Sequence, residues 1–82
     1  MKANLLGFKK YYSEKKGKNM LEAHFTFMHP DYVGFKSMNF FVEEAVFTDG
    51  VPTDKSIGKI FDLEFLPGEK FPKLLTVTLR KE

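Results

Sequence analysis

The sequence predicts an all-β fold of five short strands, and three observations lead to it. Apolar residues recur at every second position in several segments, which is the period of a β-strand, whereas no stretch of about 10–12 residues carries a helical period. Gly and Pro residues separate these segments and are typical of turns. Phe is frequent, with ten among 82 residues, and aromatic side chains bury enough area to stabilise a small core. A chain of this length supports one core, so residues 1–82 are expected to form a single domain.

Alternation of apolar and polar residues defines each predicted strand. The first strand contains Gly7, which permits a bend or a bulge. In the third, the pairs Phe40-Phe41 and Glu43-Glu44 blur the alternation, so a bulge or a short helix is expected there. The predicted strands cover residues 4–13, 20–28, 37–47, 58–66 and 73–81. The side chains expected to face the core are Leu21, Ala23, Phe25 and Phe27 in the second strand, Phe61, Leu63 and Phe65 in the fourth, and Leu75, Val77 and Leu79 in the fifth.

Five strands of this length favour a closed or nearly closed barrel, because closure removes the exposed edges that promote aggregation. The strand count and the chain length fit a small five-stranded OB-like Greek-key barrel. An SH3-like barrel fits almost as well and is the alternative. No internal repeat, linker or low-complexity tract interrupts the pattern.

Charge is distributed unevenly along the chain, although the net charge is only +2. Residues 1–20 hold six Lys and one Glu, residues 21–69 hold three Lys and nine acidic residues, and residues 70–82 hold three Lys, one Arg and one Glu. The two ends are therefore basic and the middle is acidic. A barrel can bring the two ends together into one positive face, which would attract a polyanion.

The residue types present give little support to catalysis. Cys is absent, which excludes a disulfide framework, a thiolate metal site and a Cys nucleophile. The two histidines, His24 and His29, lack the three or four convergent ligands that a zinc site requires. Glu43 and Glu44 are adjacent, so on a strand they point to opposite faces and cannot form a catalytic pair. We therefore expect no enzymatic activity, no cofactor and no metal.

The first ten residues carry an apolar stretch that is too short for a signal sequence or a membrane span, because Lys9 and Lys10 interrupt it. The absence of Cys is consistent with a reducing compartment. We therefore expect a cytoplasmic protein that has no membrane partner.

The first two predicted strands and their turn form a basic hairpin, which is the strongest functional candidate. In residues 9–12, Lys-Lys-Tyr-Tyr, each face of the strand carries one cation and one ring. Single-stranded nucleic acid is bound by cations that follow the phosphates and by rings that stack on the bases. A second candidate is Phe71, expected at a hairpin tip, although Phe71 packed over one end of the barrel and Tyr12 packed in the core are open alternatives. The predicted nucleic-acid-binding residues are Lys9, Lys10, Tyr11, Tyr12, Lys15, Lys16, Lys18, Phe71, Lys73 and Arg80.

In order and character, the chain resembles the single-stranded DNA-binding proteins of filamentous phages, the gene V type. The resemblance is carried by the basic loop 15–18, the hydrophobic central strand 40–47, the segment 58–63, the tip at Phe71 and the alternating strand 74–80. It implies an OB fold, a homodimer, and cooperative coating of single-stranded DNA without strong sequence preference. It also implies DNA-contacting cations at Lys10, Lys15, Lys18 and Arg80, and a hairpin-tip aromatic at Phe71.

Two functions are therefore expected of this sequence. The first is sequence-tolerant binding of single-stranded DNA, or RNA, by a homodimeric protein from a phage or mobile element. The alternative is a protein–protein interaction module that offers an edge strand or an aromatic patch and has no catalytic activity.

Overall fold

Five antiparallel strands form a single sheet in the computed structural model, which describes residues 1–67 and 73–80. The all-β prediction is confirmed. A 3₁₀ turn at Glu44–Val46 follows the third strand, where a bulge or short helix was expected, and a second lies at Asp54–Ser56. The strands are β1 Lys2–Ser13, β2 Lys18–Met28, β3 Phe35–Glu43, β4 Ile60–Leu66 and β5 Lys73–Leu79.

The strand order is β3-β2-β1-β4-β5, in which the fourth strand returns to lie beside the first. This is the Greek-key arrangement, and a five-stranded, partly open Greek-key barrel is the OB type. The first strand makes this order possible because residues 4–13 pair with β2 while residues 2–4 pair with β4. Among the described residues the sheet does not close fully, and a gap is left between β3 and β5.

Residues 47–49, which follow β3, contact β5 and bridge part of that gap; these contacts are called here the barrel seam. Phe47 forms a parallel bridge with Val77 of β5, and the Thr48 amide donates a hydrogen bond of 3.0 Å to the Val77 carbonyl. Two residues along β5, the Leu79 amide donates to the Asp49 carboxylate at 2.7 Å. The segment after β3 therefore holds β5 in place.

The core lies on the inner face of the sheet, as the alternation of β2 predicts. Phe25 is fully buried, and its ring packs against Phe40 and Phe61, with both pairs of ring centroids 6.2 Å apart. The buried apolar cluster comprises Ala3, Leu5, Leu21, Ala23, Phe25, Phe27, Val42, Phe47, Phe61, Leu63, Leu74 and Val77. All four predicted core positions of β2 are in it.

Two β-bulges shift the alternation elsewhere. In β1 the register shifts between Leu5 and Gly7, so Leu6 is the extra residue and is exposed while Leu5 is buried. In β5 the shift leaves Leu75 unpaired. The prediction that Leu75 faces the core is therefore wrong: Leu74 pairs with Phe65 and is buried in its place, and Leu75 is partly exposed. A bulge puts two residues opposite one, so the residues beyond it exchange faces.

Candidate nucleic-acid interface

The β1–β2 hairpin displays its lysines on a tight turn. The Gly17 amide donates a 2.7 Å hydrogen bond to the Ser13 carbonyl, and Gly17 adopts a φ of 65°, a left-handed conformation that favours glycine. The hairpin residues with exposed side chains include Lys9, Lys10, Lys15, Lys16 and Lys18. The hairpin therefore presents five cations to solvent.

The two tyrosines of β1 lie on opposite faces of the hairpin. Tyr12 pairs with Asn19 and is 61% exposed, so it is not a core residue. Tyr11 pairs with Met20 on the other face and is half-buried. There its ring meets Phe41 of β3 edge to face, with centroids 6.5 Å apart and planes at 78°. Phe41 remains 60% exposed, so an aromatic pair with one open ring lies on the outer face of the sheet.

A groove of about 530 Å³ opens where the barrel is incomplete, between the end of β3 and the start of β5. Two cations belong to the lining, Lys16 from the β1–β2 turn and Lys73 from β5. The rest of the lining is apolar apart from Glu43. The lining residues are Lys16, Met20, Phe40, Phe41, Val42, Glu43, Val46, Lys73, Leu74 and Leu75. A groove with this lining combines cationic side chains with aromatic and aliphatic surface.

Acidic side chains moderate the positive charge of this face. Lys18 Nζ lies 3.0 Å from Glu43 Oε1, and Glu43 also lines the groove. Further along β2, the ring of His24 lies 2.6 Å from the Glu22 carboxylate. Both pairs are partly exposed to solvent, where an ion pair adds little to stability. Their main effect is therefore on the local potential that an anionic ligand would meet.

Only the start of the carboxy-terminal strand β5 lies near the basic hairpin. Its first residue, Lys73, lines the groove, but Arg80 lies beside Asn4 and Lys59 in a second cleft and pairs with Asp62 at 3.5 Å. Asn4 and the hairpin tip are separated by the length of β1, about 30 Å. The structure therefore places Arg80 apart from the other predicted binding residues, while Phe71 lies outside the described residues.

Neither histidine belongs to a metal-ligating cluster. Within residues 1–67 and 73–80 no group of three or more His, Asp and Glu side chains could hold a metal ion. His29 Nδ1 accepts a hydrogen bond of 3.1 Å from the Asp31 amide, which stabilises the turn between β2 and β3.

Sequence reasoning missed two features of the site. The sequence pattern does not assign Phe41 to the binding surface, and it does not show that Lys16 and Lys73 line the same groove. The doubled Phe40-Phe41 was the available signal, because adjacent apolar residues on a strand must point to opposite faces. Since Phe40 packs against the core, Phe41 has to face outward.

The fold and this groove define the class of the protein as an OB-type barrel with a cleft that carries lysine and phenylalanine side chains between the end of β3 and the start of β5. Comparison with family models, with curated proteins and with solved structures finds no match in any of the three. In the described part of the chain, no helix has the length and apolar character needed to cross a membrane.

Proposed function

We propose that the protein binds single-stranded nucleic acid, with a preference for DNA and little sequence specificity, in the groove between β3 and β5. The observation that carries this proposal is the position of the groove. It lies between the β1–β2 turn, which supplies Lys16, and the start of β5, which supplies Lys73. OB folds bind oligonucleotides on the face of their second and third strands, flanked by the loops before β2 and before β5.

The chemistry of the lining supports a single strand rather than a duplex. An unpaired base exposes its flat face, and Phe41 with Tyr11 offers rings on which bases stack. In a duplex those faces are already stacked. Among the described lining residues there is no Arg, Asn or Gln, whose planar groups read single bases with paired hydrogen bonds, so stacking and charge are expected to dominate and to tolerate most sequences.

The lysines of the hairpin supply the long-range attraction. Each phosphate neutralised by a lysine releases counterions, so affinity falls as salt rises. The resemblance to filamentous-phage DNA-binding proteins supports the same function and a phage or mobile-element origin. A cytoplasmic location is proposed on the separate ground of the short, lysine-interrupted apolar stretch and the lack of Cys. The proposal itself depends on the groove and not on the resemblance.

The test is a fluorescence-anisotropy titration with labelled oligonucleotides of one sequence as single-stranded DNA, single-stranded RNA and duplex DNA, at two salt concentrations. The expected order of affinity is single-stranded DNA, then RNA, then duplex, with all three weaker at the higher salt. Undetectable binding of single strands at low salt would contradict the proposal.

Two variants separate local charge from net charge. The double variant Lys15→Glu, Lys18→Glu is expected to abolish binding without unfolding the chain, since both side chains are exposed at the hairpin. The matched control Lys55→Glu, Lys59→Glu makes the same change in net charge at exposed positions between β3 and β4. If both double variants lose the same affinity for single-stranded DNA, the loss reflects net charge alone, and the proposal that the groove is the binding site would be wrong.

A further inference from the structure

Glu22 and His24 form a partly exposed pair on the outer face of β2, beside Lys9 and Phe41 of the neighbouring strands. We propose that protonation of His24 controls the affinity of this surface, so that single-stranded nucleic acid binds more tightly as the pH falls from about 8 to about 5.5. This control of affinity rests on the proposed function. Its physical basis is one unit of positive charge that appears next to the proposed binding groups.

The pair is held by one short contact. His24 Nε2 lies 2.6 Å from Glu22 Oε2, and the two side chains are 42% and 32% exposed. Nε2 donates to a carboxylate both in the neutral ring that carries its proton on Nε2 and in the imidazolium. The contact is therefore kept while the charge of the pair changes from minus one to zero, and the change needs no rearrangement of the fold.

The register of the sheet places this charge among the proposed binding groups. Glu22 is paired with Lys9 of β1 on one side and with Phe41 of β3 on the other. Paired side chains on one face of a sheet have Cβ atoms about 5 Å apart. While His24 is neutral, the Glu22 carboxylate offsets the charge of Lys9 and repels the phosphates of a strand whose base stacks on Phe41. Protonation of His24 cancels that repulsion.

Ionisable groups on both neighbouring strands face the pair. Lys9 lies directly opposite on β1, and Tyr11 and Glu43 stand one step further along the same face. Glu43 is in turn paired with Lys18, whose Nζ is 3.0 Å from Oε1. Histidine is the one side-chain type in this chain that ordinarily changes charge between pH about 5 and about 8. A change in binding over that range is therefore expected to come from His24.

Solvent reaches the His24 ring, as a response to pH requires. Its neighbours across the sheet are Gly7 on β1 and Asn39 on β3. Gly7 has no side chain to cover the ring, and a Cβ placed there would meet no heavy atom within 4 Å. Asn39 is exposed and uncharged. The ring can therefore gain and lose a proton at the surface while Nε2 stays on the carboxylate.

The other histidine provides an internal control. His29 follows β2, seven residues beyond Glu22, which corresponds to about 23 Å of extended chain. That separation exceeds the Debye length, which is about 10 Å at 0.1 M ionic strength. Its Nδ1 lies 3.7 Å from the Asp31 carboxylate, in the connection between β2 and β3. Protonation of His29 is therefore expected to leave the binding surface unchanged.

The test is anisotropy titration of a single-stranded oligothymidylate from pH about 8 to about 5.5, at a constant ionic strength of about 0.1 M. Thymine gains no proton in this range, so a response belongs to the protein. Wild-type affinity should rise about three- to tenfold at the lower pH. His24→Gln keeps a neutral donor and should hold the weaker affinity throughout, whereas His24→Lys carries a permanent cation and should hold the tighter one. His29→Gln should respond as wild type does.

Calorimetry gives a second measurement that a merely structural role of His24 would not change. Binding at intermediate pH should take up a fraction of one proton per chain, which is measured from the heats in buffers of different ionisation enthalpy. This uptake should vanish in His24→Gln and persist in His29→Gln. Circular dichroism at each pH checks that every variant keeps its native fold.

The outcomes distinguish this role of His24 from the proposed function. Wild-type binding that is equal at both ends of the pH range would overturn the role of His24 and leave the proposed function standing. A response that survives in His24→Gln, or that is lost in His29→Gln, would assign it to another group and overturn the role as well. Absence of binding at every pH would contradict the proposed function, and the role of His24 would be wrong with it.

Discussion

Lys18 and Glu43 form an ion pair beside the groove, with Nζ 3.0 Å from Oε1 and both side chains partly exposed. The pair joins the start of β2 to the end of β3, two strands that lie side by side in the sheet. Because Glu43 pairs with one of the five exposed lysines of the hairpin, it reduces the positive potential that a phosphate would meet. Glu43 is therefore placed to weaken the binding that we propose.

Removing this carboxylate should strengthen binding. Glu43→Gln frees Lys18 and deletes a negative charge from the groove lining, so the affinity for a short single-stranded oligonucleotide should rise about two- to fivefold at low salt. The measurement is anisotropy titration at low and high salt, and the gain should shrink as salt rises. Glu64→Gln is the matched control, since Glu64 is exposed on β4 away from the groove lining. Unchanged or weaker binding by Glu43→Gln would contradict the prediction.

The two cations that flank the groove should contribute equally to the salt dependence. Lys16→Gln and Lys73→Gln each remove one phosphate contact, so each should reduce the slope of log affinity against log salt by about 0.7. The slope is measured by titration at four or more salt concentrations. Lys59→Gln, in the cleft at the far end of β1, should leave the slope unchanged. If only Lys59→Gln reduces the slope, the nucleic acid binds in the cleft beside Lys59 and not in the groove.

The sequence predicts the strands of this fold well because their alternation is strong and local. It predicts the inner face of β2 at every position, since no bulge interrupts that strand. It anticipates the bulge beside Gly7 in β1 but fails at Leu75, where one inserted residue in β5 changes which side chains face the core. A bulge depends on the register of two paired strands, and a single strand's pattern does not contain that register.

The candidate site was only half predictable for a related reason. The lysines of the β1–β2 hairpin are adjacent in the chain, so their clustering is visible in the sequence. Lys16 and Lys73 line one groove, whereas Arg80 lies in another cleft beside Asn4. This arrangement depends on the strand order, because the order places the start of β5 near the hairpin and the end of β5 near Asn4. The net charge of residues 70–82 includes both Lys73 and Arg80, so it cannot show that the two side chains lie in different clefts.

Phe41 should contribute to binding without contributing much to stability. Phe41→Ala removes the open ring on which a base would stack, so binding of a single strand should weaken by about 1–3 kcal/mol. The free energy of unfolding should change little, because the ring is 60% exposed. Leu6→Ala, at an exposed bulge position on β1, is a control that should keep full affinity. Urea unfolding and anisotropy on the same samples separate the two effects, and a large loss of stability with intact binding would refute this role for Phe41.

Asp49 should stabilise the barrel seam through a single backbone contact. Its carboxylate accepts the Leu79 amide at 2.7 Å, next to the bridge between Phe47 and Val77. A hydrogen bond to a charged group is worth about 1.5–3 kcal/mol, so Asp49→Ala should lower the free energy of unfolding by about that amount. Asp49→Asn retains an acceptor and should cost less. Asp54→Ala, an exposed acid on the same connection, is the matched control and should stay within about 0.5 kcal/mol of wild type.

The same variant gives a local readout. If the carboxylate anchors the end of β5, amide hydrogen exchange at Leu79 should accelerate in Asp49→Ala more than exchange at Phe25, which lies in the middle of the core strand β2. Equal acceleration at both amides would indicate only global destabilisation, and the anchoring role would be wrong. Selective acceleration at Leu79 would show that the Asp49 carboxylate holds the carboxy-terminal end of β5, the end opposite to the one that lines the groove.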